Sequence, residues 1–364
     1  LRSLVISSIP WSQSNRGIDI LTEGLIDCGF EVDHLVFPIY RNNKNNISNS
    51  YHDGKLRQIS ALKTKVPYDE SFMWFMHNKF FMDEITKFHL KSIKNIDFEQ
   101  YDLVVIESGK PVMLTESISK NSKLIYRQSD PVWMMYRNKY LQELEFKTIK
   151  RSDLILTVRE DFKRKIPEEF QEKTKTWVNG FSIPDEFLNS NPYRKTKKNG
   201  VYLGFGRIDY KTLELISKYN KDCDFHIIGT KPENFLILLK LKKIQNLHFY
   251  GYMKPYDYIR YIKYADFGIV PYSKKWNTIR YSGLTSKYLL YMYFSLPIVS
   301  YKVGIQEEFK GLPVFFANSY EDFLEQVNSA KNMPKIHYNI DFSFLSRSGR
   351  KKELLEILKE RFLI

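Results

Sequence analysis

Cysteine is nearly absent from this chain. Cys28 and Cys223 are the only two in 364 residues. They are too few and too far apart for a disulfide framework, a zinc finger or an iron–sulfur site, and a reducing cytoplasm suits such a composition. Long hydrophobic runs are missing as well. The longest apolar stretch, Tyr288 to Tyr301, is interrupted by Pro297 and falls short of the ~20 residues that a spanning helix needs. The opening LRSLVISSIPW has no charged leader or cleavage site and is read as a strand and turn rather than a signal peptide. No D-x-D occurs at a strand end, which argues against a metal held by paired carboxylates. A full G-x-G-x-x-G fingerprint is also lacking, because Asp209 stands where its third glycine belongs.

Apolar residues are plentiful, at 43%, so the chain has material for buried cores and is not intrinsically disordered. Its length suits two or three domains. The net charge of +14 is unevenly placed. Residues 1–180 hold 27 Lys and Arg against 24 Asp and Glu, whereas residues 181–364 hold 29 against 18. A basic second half attracts a polyanion such as nucleic acid, anionic lipid or a phosphorylated small molecule; a Lys-rich genome accounts for it equally well.

The first half alternates short apolar runs with helical spacing. Strands are expected at Leu4–Ser8, Glu31–Phe37, Asp102–Ile106, Leu124–Arg127 and Leu154–Val158. Helices are expected at 16–28, closed by Gly29, and at 132–150. Residues 41–65 are polar and Asn-rich and read as loop. Residues 180–200 carry two prolines and a basic run and read as a linker. The alternation then restarts. Strands are expected at 201–203, 225–228, 247–250, 267–270, 298–300 and 314–316, with helices at 209–220, 231–243, 255–265, 284–294, 319–331 and 353–363. Strand–helix repetition implies α/β architecture with parallel sheets. The expected layout is two Rossmann-like domains facing a cleft, one at 1–185 and one at 201–335, with a linker at 186–200 and a C-terminal crossover segment at 336–364 whose helix returns toward the N-terminal domain.

Ligands of such sheets bind beyond the carboxyl ends of the strands, so those positions hold the candidates. Gly204-Phe205-Gly206 is either a plain tight turn or a place where backbone approaches a phosphate closely. From Ser273 to Ile305 there are five cations, Lys274, Lys275, Arg280, Lys287 and Lys302, and no acid. Ser282, Thr285 or Ser286 is positioned to cap a helix there, with Lys287 in its first turn; the segment reads as a pyrophosphate site or as a solvated basic loop.

GYMKPYDYIRYIKYADFGIVPYS followed by SGLTSKYLLYMYFSLPIVSY resembles the donor half of GT-B glycosyltransferases, and most of all the GumK-type glucuronosyltransferases of bacterial exopolysaccharide assembly. NRGIDILTEGLIDCGFEVDHLVFP, VVIESGKP and LIYRQSDPVW match the acceptor half in order and spacing, so the resemblance spans the chain except residues 41–95. It implies a GT-B fold and an inverting, metal-independent transfer of glucuronate or a related sugar from a UDP-sugar to a lipid-linked or other glycan acceptor. It implies that Asp130 is the catalytic carboxylate, whereas the residues alone allow Asp130 to be a helix cap. Lys287, Thr285, Ser286, Tyr272, Met253 and Tyr252 fall on donor-binding positions. Gly206 and Arg207 join them from the Gly204 loop, and Glu107, Arg127 and Arg16 lie on the acceptor side. No cofactor and no metal are implied. Tyr252 and Leu290 depart from the Glu and Gln expected there, which removes polar partners from the donor pocket. A retaining mechanism usually needs two glutamates near the donor loop, and the acid-free stretch weakens that alternative.

A basic nucleic-acid-binding protein is a second alternative, since 25 Tyr and 26 Phe are available to stack bases. No nucleic-acid motif appears, however, and most aromatics sit in periodic apolar segments, so no nucleic acid is expected as a partner. Residues 72–94 set Phe81, Ile85 and Phe88 on one helical face flanked by lysines. They read as ordinary core, as a lid of the acceptor cleft, or as a segment lying on an anionic membrane; the last is expected, giving a cytoplasmic enzyme bound peripherally to the inner face of the cytoplasmic membrane.

Overall fold

The computed structural model describes residues 1–13, 16–39, 49–64, 79–136, 138–183, 190–193, 196–204, 208–254, 257–273 and 282–362. In chain order the strands are β1 Arg2–Ser7, β2 Glu31–Val36, β3 Asn49–Tyr51, β4 Leu56–Ser60, β5 Leu103–Glu107, β6 Lys123–Gln128, β7 Leu154–Thr157, β8 Thr174–Thr176, β9 Lys198–Leu203, β10 Cys223–Ile228, β11 Leu247–Gly251, β12 Phe267–Val270, β13 Ile298–Tyr301 and β14 Val314–Ala317. The α-helices are α1 Gly17–Asp27, α2 Lys79–Leu90, α3 Val132–Met135, α4 Lys139–Arg151, α5 Glu160–Lys163, α6 Tyr210–Tyr219, α7 Phe235–Lys242, α8 Ile259–Tyr264, α9 Ser286–Tyr293, α10 Tyr320–Ala330 and α11 Arg347–Phe362. The chain forms two compact units, one of Leu1–Gly180 with Ser343–Ile364, the other of Phe181–Phe342.

The first unit is built on an eight-stranded sheet ordered β3-β4-β2-β1-β5-β6-β7-β8. Every pairing is parallel except β3 with β4. Its central strands read as unbroken apolar runs because both faces are covered. Leu4, Ile6, Val104 and Ile106 enter one buried cluster. Val5, Leu103, Val105 and Ile125 enter the cluster on the other face. The last helix, α11, closes that second face: Leu354, Ile357 and Leu358 join Ile18, Leu21 and Leu25 of α1. A Cβ on Gly24 would lie 2.7 Å from the Leu354 side chain, so α1 and α11 meet where the glycine leaves room. The buried rim of this contact is ionic, Arg347 pairing with Glu23. The C-terminal helix therefore returns to the N-terminal sheet, as the sequence implies.

The second unit has a six-stranded, all-parallel sheet ordered β11-β10-β9-β12-β13-β14. Tyr202, Phe225, Phe267 and Val299 anchor its core together with Leu213 and Ile216 of α6 and Phe323 and Val327 of α10. In each sheet the strand order reverses at one place. In the first it lies between β1 and β5, in the second between β9 and β12. Such a switch point opens a crevice at the carboxyl ends of the two strands, where doubly wound sheets take their ligands.

Several sequence readings need correction. Residues 49–51 and 56–60 belong to the sheet rather than to a loop; Leu56 and Gln58 point inward and are fully buried, while polar Arg57 and Ser60 hide the alternation. The helix expected over 132–150 is two helices. Asn138 caps the second by accepting from the amides of Tyr140 and Leu141. β9 begins at Lys198, inside the segment read as linker, because Gly200 lets the Phe267 ring pack 2.7 Å from its missing Cβ. The only D-x-D, Asp222-Cys223-Asp224, sits at the amino end of β10, tied to Lys331 and Lys197 and on the opposite edge from the switch point. Both cysteines are free.

Candidate functional site

At the switch point of the first sheet, the hydroxyl of Ser7, last residue of β1, donates to Glu107 Oε2 at 2.6 Å across to the end of β5. Glu107 Oε1 accepts from Arg127 Nη1 at 3.0 Å, and Arg127 Nη2 donates to Asn179 Oδ1 at 2.6 Å. The Arg127 guanidinium is buried over the Trp177 ring. Burial lowers its pKa, opposed by the negative charges of Glu107, Asp130 and Asp19. Gly17 opens α1 at this spot because nothing larger fits: its Cβ would lie 2.0 Å from Arg127 Nη2 and 2.1 Å from Asn179 Oδ1.

Asp130 follows β6 and is exposed at the same edge. Its amide and that of Ser129 both donate to Ser108 Oγ, at 3.2 and 3.1 Å, which fixes the turn that carries it. The sequence allows Asp130 to be the cap of the helix that follows. That cap is instead Glu145, whose two carboxylate oxygens receive the Val132 amide at 3.1 and 3.2 Å. Asp130 thus stands at the sheet edge within electrostatic reach of Arg127, and the capping role is filled by another residue. Both Glu107 oxygens are engaged by side chains, those of Ser7 and Arg127. Arg16 is taken up locally: Nε and Nη2 reach Asp19 at 2.7 and 2.8 Å, and Nη2 also donates to the carbonyl of Pro10.

The second sheet carries a cation at its switch point. Lys287 Nζ donates to the Tyr202 hydroxyl at 3.3 Å and lies 4.4 Å and 4.7 Å from the centroids of the Tyr202 and Tyr272 rings. Burial works against its charge, but the two phenols outweigh burial and hold the ammonium's pKa above its ordinary value. Tyr202 belongs to β9 and Tyr272 follows β12, so the lysine bridges the two strands whose order reverses. Gly204 makes this possible: with φ +152, its Cβ would lie 2.7 Å from Lys287 Nζ. Gly229, with φ +93, packs as closely on the Gly204 carbonyl, and its amide donates to Gly251 at 2.6 Å. Three glycines therefore line the carboxyl ends of β9, β10 and β11.

Lys287 is the second residue of α9. Thr285 holds the N-cap position, yet its side chain makes no capping bond, and its buried Oγ1 has no hydrogen-bond partner. Ser286 is the first helical residue. The lack of a capping bond from Thr285 leaves the start of α9 open to an acceptor. The loop before α9 is acid-free in sequence but not in space, since Glu308 accepts the Leu284 amide at 2.6 Å. Tyr252 and Met253 follow β11, the first exposed and the second half-buried. Leu290, within α9, is buried. Gly206 and Arg207 lie outside the described residues. Among the described residues, no three His, Cys, Asp or Glu side chains are grouped to hold a metal ion. Sequence reasoning reached Ser7 and Ser108 only as positions around a strand end, and it missed Asn179, Glu145, Tyr202 and Glu308. The four missed residues carry no signal of that kind.

The family model for the N-terminal domain of glucuronosyltransferase GumK matches residues 23–158, and that for glycosyl transferases group 1 matches residues 210–330. The chain is a glycosyltransferase of GT-B fold that resembles the GumK type in its N-terminal half. A UDP-glucuronate:glycolipid 2-beta-glucuronosyltransferase of Xanthomonas campestris pv. campestris is 24% identical over 243 residues, covering 65% of this glycosyltransferase. The match spans 58% of that relative's length. Among solved structures, sucrose-phosphate synthase from Thermosynechococcus elongatus superposes with a TM-score of 0.65 at 12% identity, covering 99% of this chain and 94% of that one. The trehalose-6-phosphate structure from E. coli bound with UDP-2-fluoro glucose gives 0.60 at 11%, with 99% and 96% covered. UDP-GlcNAc 2-epimerase from Methanocaldococcus jannaschii gives 0.58 at 12%, with 99% of each covered. At these identities the structural likenesses speak to the fold.

Proposed function

We propose that this glycosyltransferase transfers a sugar from a UDP-sugar to a lipid-linked glycan acceptor, with inversion and without a metal, in the synthesis of a bacterial surface polysaccharide. The observation that carries the reading is the anion site at the second switch point. There the uncapped start of α9, the unpartnered Thr285 hydroxyl and the Lys287 ammonium converge beside a glycine-lined strand edge. A diphosphate supplies what this edge lacks: acceptor oxygens for the helix amides and the Thr285 hydroxyl, and negative charge for Lys287.

In the proposed reaction the acceptor hydroxyl attacks the anomeric carbon. The new C–O bond forms as the bond to the diphosphate breaks. Asp130, within electrostatic reach of the Arg127 guanidinium, takes the hydroxyl proton. The electron pair leaves with UDP, and Lys287 with the α9 amides receives the developing charge. Tyr252 and Met253 border the nucleoside, and Ser286 adds a hydroxyl at the diphosphate. Glucuronate is the sugar carried by the Xanthomonas relative and is the first donor to try. Support for a membrane-bound acceptor comes from that relative's glycolipid substrate. On α2, Met82, Thr86 and His89 face the core with Ile85 packed beside them, so the face expected to carry Phe81, Ile85 and Phe88 together is divided. Phe81 and Phe88 remain exposed. Residues 72–78, Trp74 included, lie outside the described residues. Among the described residues no helix is long and apolar enough to cross a membrane.

Calorimetry against UDP, UDP-glucuronate, other UDP-sugars and GDP in the presence of EDTA tests the donor site. UDP at ~100 times its Kd should stabilise the protein by about 2.7 kcal/mol. Binding of no nucleotide, or binding that appears only with added Mn²⁺, refutes the mechanism. The anomeric configuration of the product, read by NMR, separates inversion from retention.

A further inference from the structure

Helix α7 breaks the usual rule for a helix packed on a sheet. Its sequence, FLILLKLK, is apolar at six of eight positions, yet only Leu241 is buried. Phe235 and Leu236 are 67% and 74% exposed, and Ile237 and Leu239 are exposed too. The spacing of Phe235, Leu236 and Leu239 places them side by side on the face opposite Leu241. The helix is well formed: Asn234 caps it by accepting from the Leu236 and Ile237 amides at 2.9 and 3.2 Å. An outward row of large aliphatic side chains on a capped helix calls for a covering surface.

The charges around the row say what kind. Lys240, Lys242 and Lys243 are exposed at its C-terminal end. Past them a cavity of about 550 Å³ is lined by Lys197, Lys218, Lys221, Lys240 and Lys243. Its one carboxylate, Glu214, is already paired with Lys218 and Lys240 at 2.5 and 2.6 Å. At the other end Lys231 and Glu233 offset one another. A second copy of the chain would set lysine against lysine. A nucleic acid would find one aromatic ring among aliphatics and no stacking platform.

We propose that α7 docks the second unit on an anionic lipid surface, with Phe235, Leu236 and Leu239 in the headgroup boundary and the lysines on lipid phosphates. The N-terminus of α7 follows β10 at the carboxyl edge of the sheet, the edge that holds Lys287. Docking through this helix lays the flank of the second unit, from its lysine-lined amino edge to the donor-binding edge, along the bilayer, which suits a lipid-linked acceptor; that link rests on the function proposed above, whereas the docking surface does not.

Vesicle flotation with phosphatidylcholine alone and with added phosphatidylglycerol tests it on three proteins besides wild type. These are Leu236→Ser/Leu239→Ser, Lys242→Glu/Lys243→Glu, and Phe81→Ser/Phe88→Ser on α2. Wild type should float with the anionic vesicles, and less so at high salt. Each α7 variant should partition at least about tenfold more weakly. Because the changed side chains are exposed, the melting temperature and the UDP-induced shift should match wild type. Flotation of both α7 variants like wild type overturns the proposal. So does failure of wild type to float, or loss confined to the α2 variant. Absence of a UDP shift in wild type would instead strike the functional reading and leave the vesicle result standing.

Discussion

The Lys287 ammonium occupies space that only a glycine at position 204 leaves open. Nζ lies 2.7 Å from where a Gly204 Cβ would stand, and the Tyr202 hydroxyl lies 2.8 Å from the same point. The backbone there, at φ +152, also suits glycine. Gly204→Ala should therefore push Lys287 off the two phenols and strain the turn. The expected result is roughly tenfold weaker UDP binding by calorimetry, with a stability loss of only about 1 kcal/mol in urea titration. Unchanged affinity would show that Lys287 does not set the anion site.

Asp130 is not needed to cap a helix, since Glu145 receives the Val132 amide. Asp130→Asn should accordingly leave the fold and UDP binding intact and slow sugar transfer by roughly 10²-fold or more, the scale of a lost general base. UDP release in the presence of acceptor, set beside the melting temperature, separates the two effects. Full activity in this variant would remove Asp130 from the chemistry.

Sequence reading finds the strands that are buried on both faces, such as Leu103–Ile106, because continuous apolar letters leave few other choices. It misses β3, β4 and the start of β9, whose letters are polar or glycine. Residues such as Arg57 and Lys198 join the ladder through their backbones, and their side chains say nothing of it. The site divides in the same way. Lys287, Thr285 and Asp130 are visible because loop position after a strand end is a sequence property. Tyr202 is not, since its role depends on which strand neighbours β12 after the order reverses. Glu308 escapes because the fold, not the sequence, returns it to the Leu284 amide. Asn179 and Arg127, far apart in the chain, meet only once α1 presents Gly17 between them.

Glu107 is the carboxylate bonded to the buried Arg127 guanidinium, which also stacks on Trp177. Removing it leaves a buried cation with Asn179 as a neutral partner. Glu107→Ala should cost about 3–5 kcal/mol, the usual penalty for breaking a buried ion pair from one side. Glu107→Gln retains an acceptor for Arg127 Nη1 and should cost less. Urea unfolding of the two variants checks the order. A loss below about 1 kcal/mol in the alanine variant would show that Arg127 finds other compensation.

His34 gives the fold a dependence on acid that can be read apart from its carboxylates. Its ring is buried in β2, with Nε2 3.1 Å from the Ile9 carbonyl and Nδ1 without a partner. Burial, helped by the charge of Arg16 and opposed by the Ile9 contact, pushes its pKa from 6.5 down to about 4. Between those values the unfolded chain binds a proton that the folded chain does not. Stability from this group is therefore complete above pH 6.5 and falls as the pH drops toward about 4. The gap corresponds to roughly 3 kcal/mol. His34→Gln keeps an amide to donate to Ile9 and removes the titration. Urea unfolding at about pH 7.5 and about pH 4.5 should show wild type losing roughly 2 kcal/mol more than the variant over that interval. Equal losses would mean that the folded protein protonates His34 as readily as the unfolded chain does.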